Sequence, residues 1–252
     1  MGLFGKLFER KVCAICGDEI KLLGNRKLED GNLCKNCADK LSPWFDDRRN
    51  STVAQIKAQL EYREDNKEKV AAFRITRTLG ERTKVLLDEN AGRFMVTSAR
   101  DLQKENPDVL EFSDVTGCLL EIEEEKTELM KEGKDGEEIS YNPPRYTYDY
   151  RFYITIQVRN TYFDEINFQI NDSSVEIENV TGVANPERSA AYRKYKQMSE
   201  EMKDAILQVR KQARDEEIAA AVPKKLVSCP YCGAQTIPDE KGCCEYCRGL
   251  IK

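Results

Sequence analysis

Eight cysteines in four C-x-x-C pairs constrain this chain more than any other feature. Cys13-x-x-Cys16 and Cys34-x-x-Cys37 stand 17 residues apart, and Cys229-x-x-Cys232 and Cys244-x-x-Cys247 repeat the paired spacing near the far end of the 252 residues. Two thiolates two residues apart reach one ion from a single tight turn, and two such turns supply the four ligands of a tetrahedral site. Gly17 follows Cys16, where a residue tolerant of positive φ lets the turn close around a metal. The expected ligand sets are therefore Cys13, Cys16, Cys34 and Cys37, and Cys229, Cys232, Cys244 and Cys247, each holding one structural zinc ion. Iron suits the same sulfur chemistry. Cys243 is a fifth thiol at the second set and competes with Cys244, which is preferred because it completes a pair with Cys247. Cys118, alone in an apolar run, reads as a small buried hydrophobe.

Redox cycling is the other use of C-x-x-C. It normally involves one motif beside a βαβ pattern, which this chain lacks. The segments Leu22–Leu28 and Cys37–Leu41 read as a hairpin and a short helical run ended by Pro43, a treble-clef-like finger. The C-terminal set resembles a zinc ribbon. A module of some thirty residues could hardly bury a sufficient core, which makes a metal physically useful there.

Between the cysteine modules the periodicity changes. Ser51 and Thr52 are candidate N-caps, with Gln55 completing a capping box and Val53, Ile56 and Leu60 forming a stripe ahead of the charged run Glu61–Lys69. Strand-like runs follow at Phe73–Leu79, Thr83–Asp88 and Arg93–Thr97, then Val115–Glu125, Tyr146–Arg159 and Tyr162–Ile170, with a surface loop at Glu132–Glu138. Apolar residues recur at every second position from Tyr146 to Val158, so one face of that strand is buried. Asn185-Pro186 predicts the start of a long amphipathic helix in which Tyr192, Tyr195, Met198, Met202, Ile206, Val209 and Ala213 advance by three or four, ending before Pro223. The fold class expected is α+β: a finger over 1–50, a connecting helix over 51–70, a β-rich domain with a long helix over 71–222, and a ribbon over 223–252. The order of strands and helix resembles the pleckstrin-homology-like barrels, and the middle is expected to be a small barrel or bent sheet plugged by its helix.

Composition narrows the function. The chain has no histidine, which removes the commonest general base and every histidine-dependent nucleophile arrangement. No Gly-rich phosphate loop is present, and the acidic run Glu121–Glu125 reads as the solvated edge of a strand. Net charge is −5, with +2 over residues 1–50 and +2 over 222–252 around an acidic middle. No apolar run approaches the roughly 20 residues that span a bilayer, and the first ten residues lack the features of a secretory signal. The location expected is the cytosol, where unpaired cysteines persist.

The opening Met1–Phe8, then Val12-Cys13-Ala14-Ile15-Cys16-Gly17, Gly24–Gly31, Leu33-Cys34-Lys35-Asn36-Cys37 and Leu41–Phe45, resembles a family of uncharacterised Gram-positive bacterial proteins with an N-terminal four-cysteine finger. The resemblance covers about the first fifth of the chain and implies zinc binding in a bacterial cytosol. The function expected is a non-enzymatic zinc-binding interaction or scaffold protein with a protein partner. Nucleic-acid association through the basic ends is an alternative that the acidic middle disfavours. Peripheral membrane contact through the apolar lead Leu3, Phe4, Leu7 and Phe8 and the middle domain is another.

Overall fold

The computed structural model describes residues 11–21, 24–221, 226–239 and 241–251. The apolar lead 1–10, the Leu22-Leu23 part of the expected Leu22–Leu28 hairpin and the helix stop at Pro223 lie outside the described residues. The chain divides into two compact units, Met1–Lys211 and Gln212–Lys252.

The first unit begins with two short hairpins, β1 (Lys11–Val12) with β2 (Glu19–Ile20), and β3 (Arg26–Lys27) with β4 (Asn32–Leu33). The second lies a few residues later than the Leu22–Leu28 expected. The reason is the Asp30-Gly31 turn, where the Leu28 N–H donates to the Gly31 carbonyl at 3.0 Å and pairs the strands on either side. Helix α1 (Lys35–Ala38) follows directly.

Helix α2 (Val53–Ala72) starts at the expected capping box: the Thr52 side chain accepts from the Gln55 N–H, and the Gln55 side chain accepts from the Thr52 N–H at 2.7 Å. A cap of this kind contributes about 1 kcal/mol. Val53, Ile56 and Leu60 pack on Ile20, Leu28, Leu33 and Leu41, so the finger and the helix share one apolar core. The buried stripe then turns polar until Val70 ends it. Gln59, Arg63 and Asn66 are all buried, the last two within the charged run Glu61–Lys69.

An antiparallel meander follows: β5 (Arg77–Leu79), β6 (Lys84–Asp88), β7 (Arg93–Thr97) and, after helix α3 (Leu102–Glu105), β8 (Leu110–Glu111). Both faces of β6 and β7 are covered. Leu86 and Met95, opposite one another, meet Val70 of α2 and Phe73 just beyond it, while Phe94, on the opposite face, approaches Phe112.

The second sheet is organised by β10 (Glu138–Val158). Strand β9 (Val115–Glu132) runs along one side of it, and β11 (Glu165–Gln169) and β12 (Val175–Val180) share the other. The alternation from Tyr148 to Val158 buries one face of β10, where Tyr192 of α4 (Ala190–Ala221) packs edge-on against Tyr150 and Phe152. In two further respects the structure corrects the sequence reading. Among the described residues the sheets do not close into a barrel: each remains an open four-stranded layer, because neither pairs its outer strands with the other. The long helix starts at Ala190 rather than at Pro186, because Pro186–Arg188 forms a separate 3-10 turn and Ser189 is extended, its hydroxyl accepting from the Tyr192 N–H at 3.3 Å. The mixed helix and strand class, with cysteine groups near both ends and a long late helix, is as expected.

Candidate metal centres

In the first unit a tight turn presents Cys13 and Cys16. The Gly17 N–H donates to the Cys13 carbonyl at 2.9 Å, and the Cys13 N–H donates to the Asp18 carbonyl at 2.9 Å. Gly17 has φ +79, and a Cβ built there meets nothing within 4 Å. Cys34 and Cys37 come from the start of α1: the Cys37 N–H caps onto the Cys34 sulfur at 3.4 Å, and the Cys34 N–H points at the Cys13 sulfur at 3.3 Å. The second unit repeats the arrangement. The Gly233 N–H donates to the Cys229 carbonyl, with Gly233 at φ +71, and the Arg248 N–H donates to the Cys244 carbonyl, with Arg248 at φ +57.

These turns bring Cys13, Cys16, Cys34 and Cys37 together, and likewise Cys229, Cys232, Cys244 and Cys247, with the sulfur atoms of each group within 4.8 Å of one another. A tetrahedron with metal–sulfur bonds of about 2.3 Å has sulfur–sulfur edges of about 3.8 Å, whereas a disulfide needs about 2.05 Å. The separations Cys16–Cys34 (3.7 Å), Cys232–Cys244 (3.7 Å) and Cys229–Cys247 (3.5 Å) match the first and exclude the second. Each group is compatible with one structurally bound metal ion. Cys243 is not in the group: its thiol lies 3.8 Å from the Lys241 carbonyl, while its N–H donates to Asp239. Cys118 is buried in β9 and belongs to neither group.

The electrostatics suit a cation. Burial works against ionisation of Cys13, yet the backbone N–H groups of Cys16, Cys34 and Ile15 outweigh it, and its pKa falls to about 6. Cys229 reaches about 6 by the same balance, with N–H groups of Cys232 and Tyr231. Their neighbours move the other way. Burial and the Cys34, Cys16 and Cys13 thiols push Cys37 up. At Cys247 the Gly249 N–H favours the thiolate, but desolvation and the surrounding cysteines hold the pKa at about 12. One thiolate thus forms readily in each group, and a positive ion placed between the sulfurs favours the ionised form of the others.

Three of the four C-x-x-C turns carry a residue at positive φ just after the second cysteine, Gly17, Gly233 and Arg248. The left-handed region costs a residue with a Cβ about 1–2 kcal/mol, and nothing crowds Gly17 or Gly233. Arg248→Gly is therefore expected to stabilise the C-terminal module by up to about 1 kcal/mol, and Gly17→Ala to destabilise the finger by about 1–2 kcal/mol. Chelator competition on the two variants, with zinc release shifting in opposite directions, checks both.

A family described as Domain of unknown function (DUF4428) matches residues 11–59, which span the first cysteine group and the opening of α2. No curated protein and no solved structure matches the chain.

The sequence reading missed one polar cluster beside the first group. Asp108 accepts from Arg63 Nη1 at 2.7 Å and from the Ser42 hydroxyl at 2.8 Å, with side-chain exposures of 0% for Asp108 and 7% for Arg63. Arg63 also donates to the carbonyls of Asn106 and of Lys40, three residues beyond Cys37. The finger, α2 and the segment ahead of β8 are joined through this one arginine. The signal available was spacing: Ile56, Gln59, Arg63, Asn66 and Val70 advance by three or four.

Proposed function

We propose that this chain is a non-enzymatic zinc protein whose two ions each hold one module in shape, and whose role is to bind another protein. The observation that carries the reading is the pair of four-sulfur groups with metal-compatible edges. Four protein thiolates complete a tetrahedral shell, whereas a catalytic zinc keeps one position for water. The absence of histidine supports the same conclusion. Zinc is preferred to iron because it binds four thiolates tetrahedrally without redox chemistry, and the free-thiol geometry suits a reducing compartment. Among the described residues no helix is long and apolar enough to cross a membrane. A protein partner is favoured by the C-terminal module, which exposes Tyr231 (71%), Tyr246 (70%) and Leu250 (52%). Aromatic side chains of this kind anchor protein interfaces.

The experiment is elemental analysis of the full chain purified without added metal. The expected content is about two zinc ions per chain, one for each four-thiolate group. Iron in their place would replace the ion but keep the structural role. Metal-free protein with eight reactive thiols would overturn the proposal.

A further inference from the structure

Strand β9 is paired on one side only. Among the described residues Val115–Glu132 bonds to β10 and to no strand beyond it. From Glu123 to Glu132 every side chain but Leu129 is exposed. The support behind this stretch is thin, because β12 pairs with β10 only as far as Tyr146. The tip is a two-stranded ribbon that leaves Met130 (47%) and Ile139 (37%) open to solvent. A long free edge is a template for another strand, and a two-stranded ribbon in water is marginal without one.

We propose that the occupant is β9 of a second copy, paired antiparallel about a twofold axis through Thr127. The charge sequence selects this register. Opposed residues then have numbers that sum to twice 127, so Lys126 faces Glu128, Lys131 faces Glu123, Glu125 faces Leu129 and Glu124 faces Met130. The twofold repeats each pair, giving four glutamate–lysine pairs and no glutamate opposite glutamate. Slipping the strands destroys this. A slip of one, two or three residues toward the start of β9 opposes Glu128 to Glu125, Glu124 or Glu123. The same slips toward its end oppose Glu132 to Glu123, Glu124 or Glu125. Directly opposed like charges are destabilising, so one register stands apart from its neighbours.

The side chains are disposed for it. Opposed residues are an even number apart, so they project on the same face in both copies, and the faces on which α4 packs fall on one side of the joined sheet. Lys126 is held over the Tyr146 ring at 3.8 Å within its own hairpin, and Glu125 is bridged to Arg151 at 3.1 Å. These contacts run toward β10 and leave the outer backbone edge open. The edge that glutamates guard against other strands is thereby complementary to itself in one alignment.

Sedimentation velocity of the full chain over the micromolar range tests this independently of the zinc. Wild type is expected to reach twice the chain mass. Lys131→Glu opposes two glutamate pairs across the axis and is expected to return the protein to monomer. Glu123→Lys with Lys131→Glu exchanges the signs and is expected to restore the dimer, which a merely misfolded variant would not. Thr127→Cys places two thiols at the axis, and mild oxidation should give a covalent dimer on a non-reducing gel. A monomer at every concentration, a dimer indifferent to Lys131→Glu, or a charge exchange without recovery would each overturn the proposal. Capture of oligolysine by a monomeric chain, lost on Glu123→Lys, would overturn it in favour of a basic extended partner.

Discussion

Cys244→Ser is expected to empty the C-terminal site and unfold the module around it, whereas Cys243→Ser leaves the metal bound. The difference follows from what forms the interior. Among the described residues from 226 onward, the only buried hydrophobic side chains are Cys229 and Cys244. The ligands are themselves the core. A structural zinc contributes on the order of 10 kcal/mol of folding free energy to so small a module, and an incomplete shell forfeits much of it. Cys243 makes its polar contacts with Lys241 and Asp239, away from the four sulfurs. Chelator competition should show weakened zinc retention at one site in Cys244→Ser and two unaltered sites in Cys243→Ser. Equal weakening would mean that the two thiols exchange at the metal. The N-terminal finger should respond less steeply to chelation, because Ile20, Leu28, Leu33 and Leu41 still pack on Ile56 when the metal leaves. Amide exchange under chelator, faster over 226–251 than over 26–41, is the corresponding signature.

The parts of the fold that could be read from the sequence are those where one local rule dominates. Four C-x-x-C turns predict two sulfur groups because the turn alone determines where the sulfurs go. The alternation along β10 and the capping box at Thr52 were visible for the same reason: each depends on residues close in sequence. Sheet closure was not visible, because it depends on pairing between outer strands that no local pattern encodes. The 3-10 turn at Pro186–Arg188 illustrates the limit on a small scale. Asn-Pro is a good helix start, but Ser189 takes an extended backbone and the long helix begins after it. At the first site, the hairpin position depended on the Asp30-Gly31 turn, whose strength shows only when Arg26 and Lys27 pair with Leu33 and Asn32.

The least legible feature was Arg63. In the run Glu61–Lys69 it looks like one more solvated charge, and only the three-and-four spacing of Ile56, Gln59, Arg63, Asn66 and Val70 places it on the buried stripe. Its counter-ion, Asp108, is 45 positions away in a loop. No period links the two, and the contact appears only when α2 lies across the meander.

Arg63→Ala is accordingly expected to destabilise the first unit by about 3–5 kcal/mol, the cost of leaving a buried charge without its partner. Asp108 would keep the Ser42 hydroxyl as a donor but lose the guanidinium 2.7 Å away, in a position with no exposed side-chain surface. The carbonyls of Lys40 and Asn106 would lose their donors as well. Asn66, which donates to the Pro107 carbonyl and accepts from the Val109 N–H, would hold the loop without the arginine. Removing both charges is a different experiment. Arg63→Met with Asp108→Leu leaves no ion to desolvate, and apolar replacements of a buried pair are often neutral or stabilising. The double variant should therefore lose much less than Arg63→Ala alone. Urea unfolding of the wild type and the two variants, at fixed zinc, decides the matter through the shift in midpoint at constant slope. A loss below about 1 kcal/mol for Arg63→Ala would place the pair in the range of solvated surface bridges and remove it as the joint between finger and sheet.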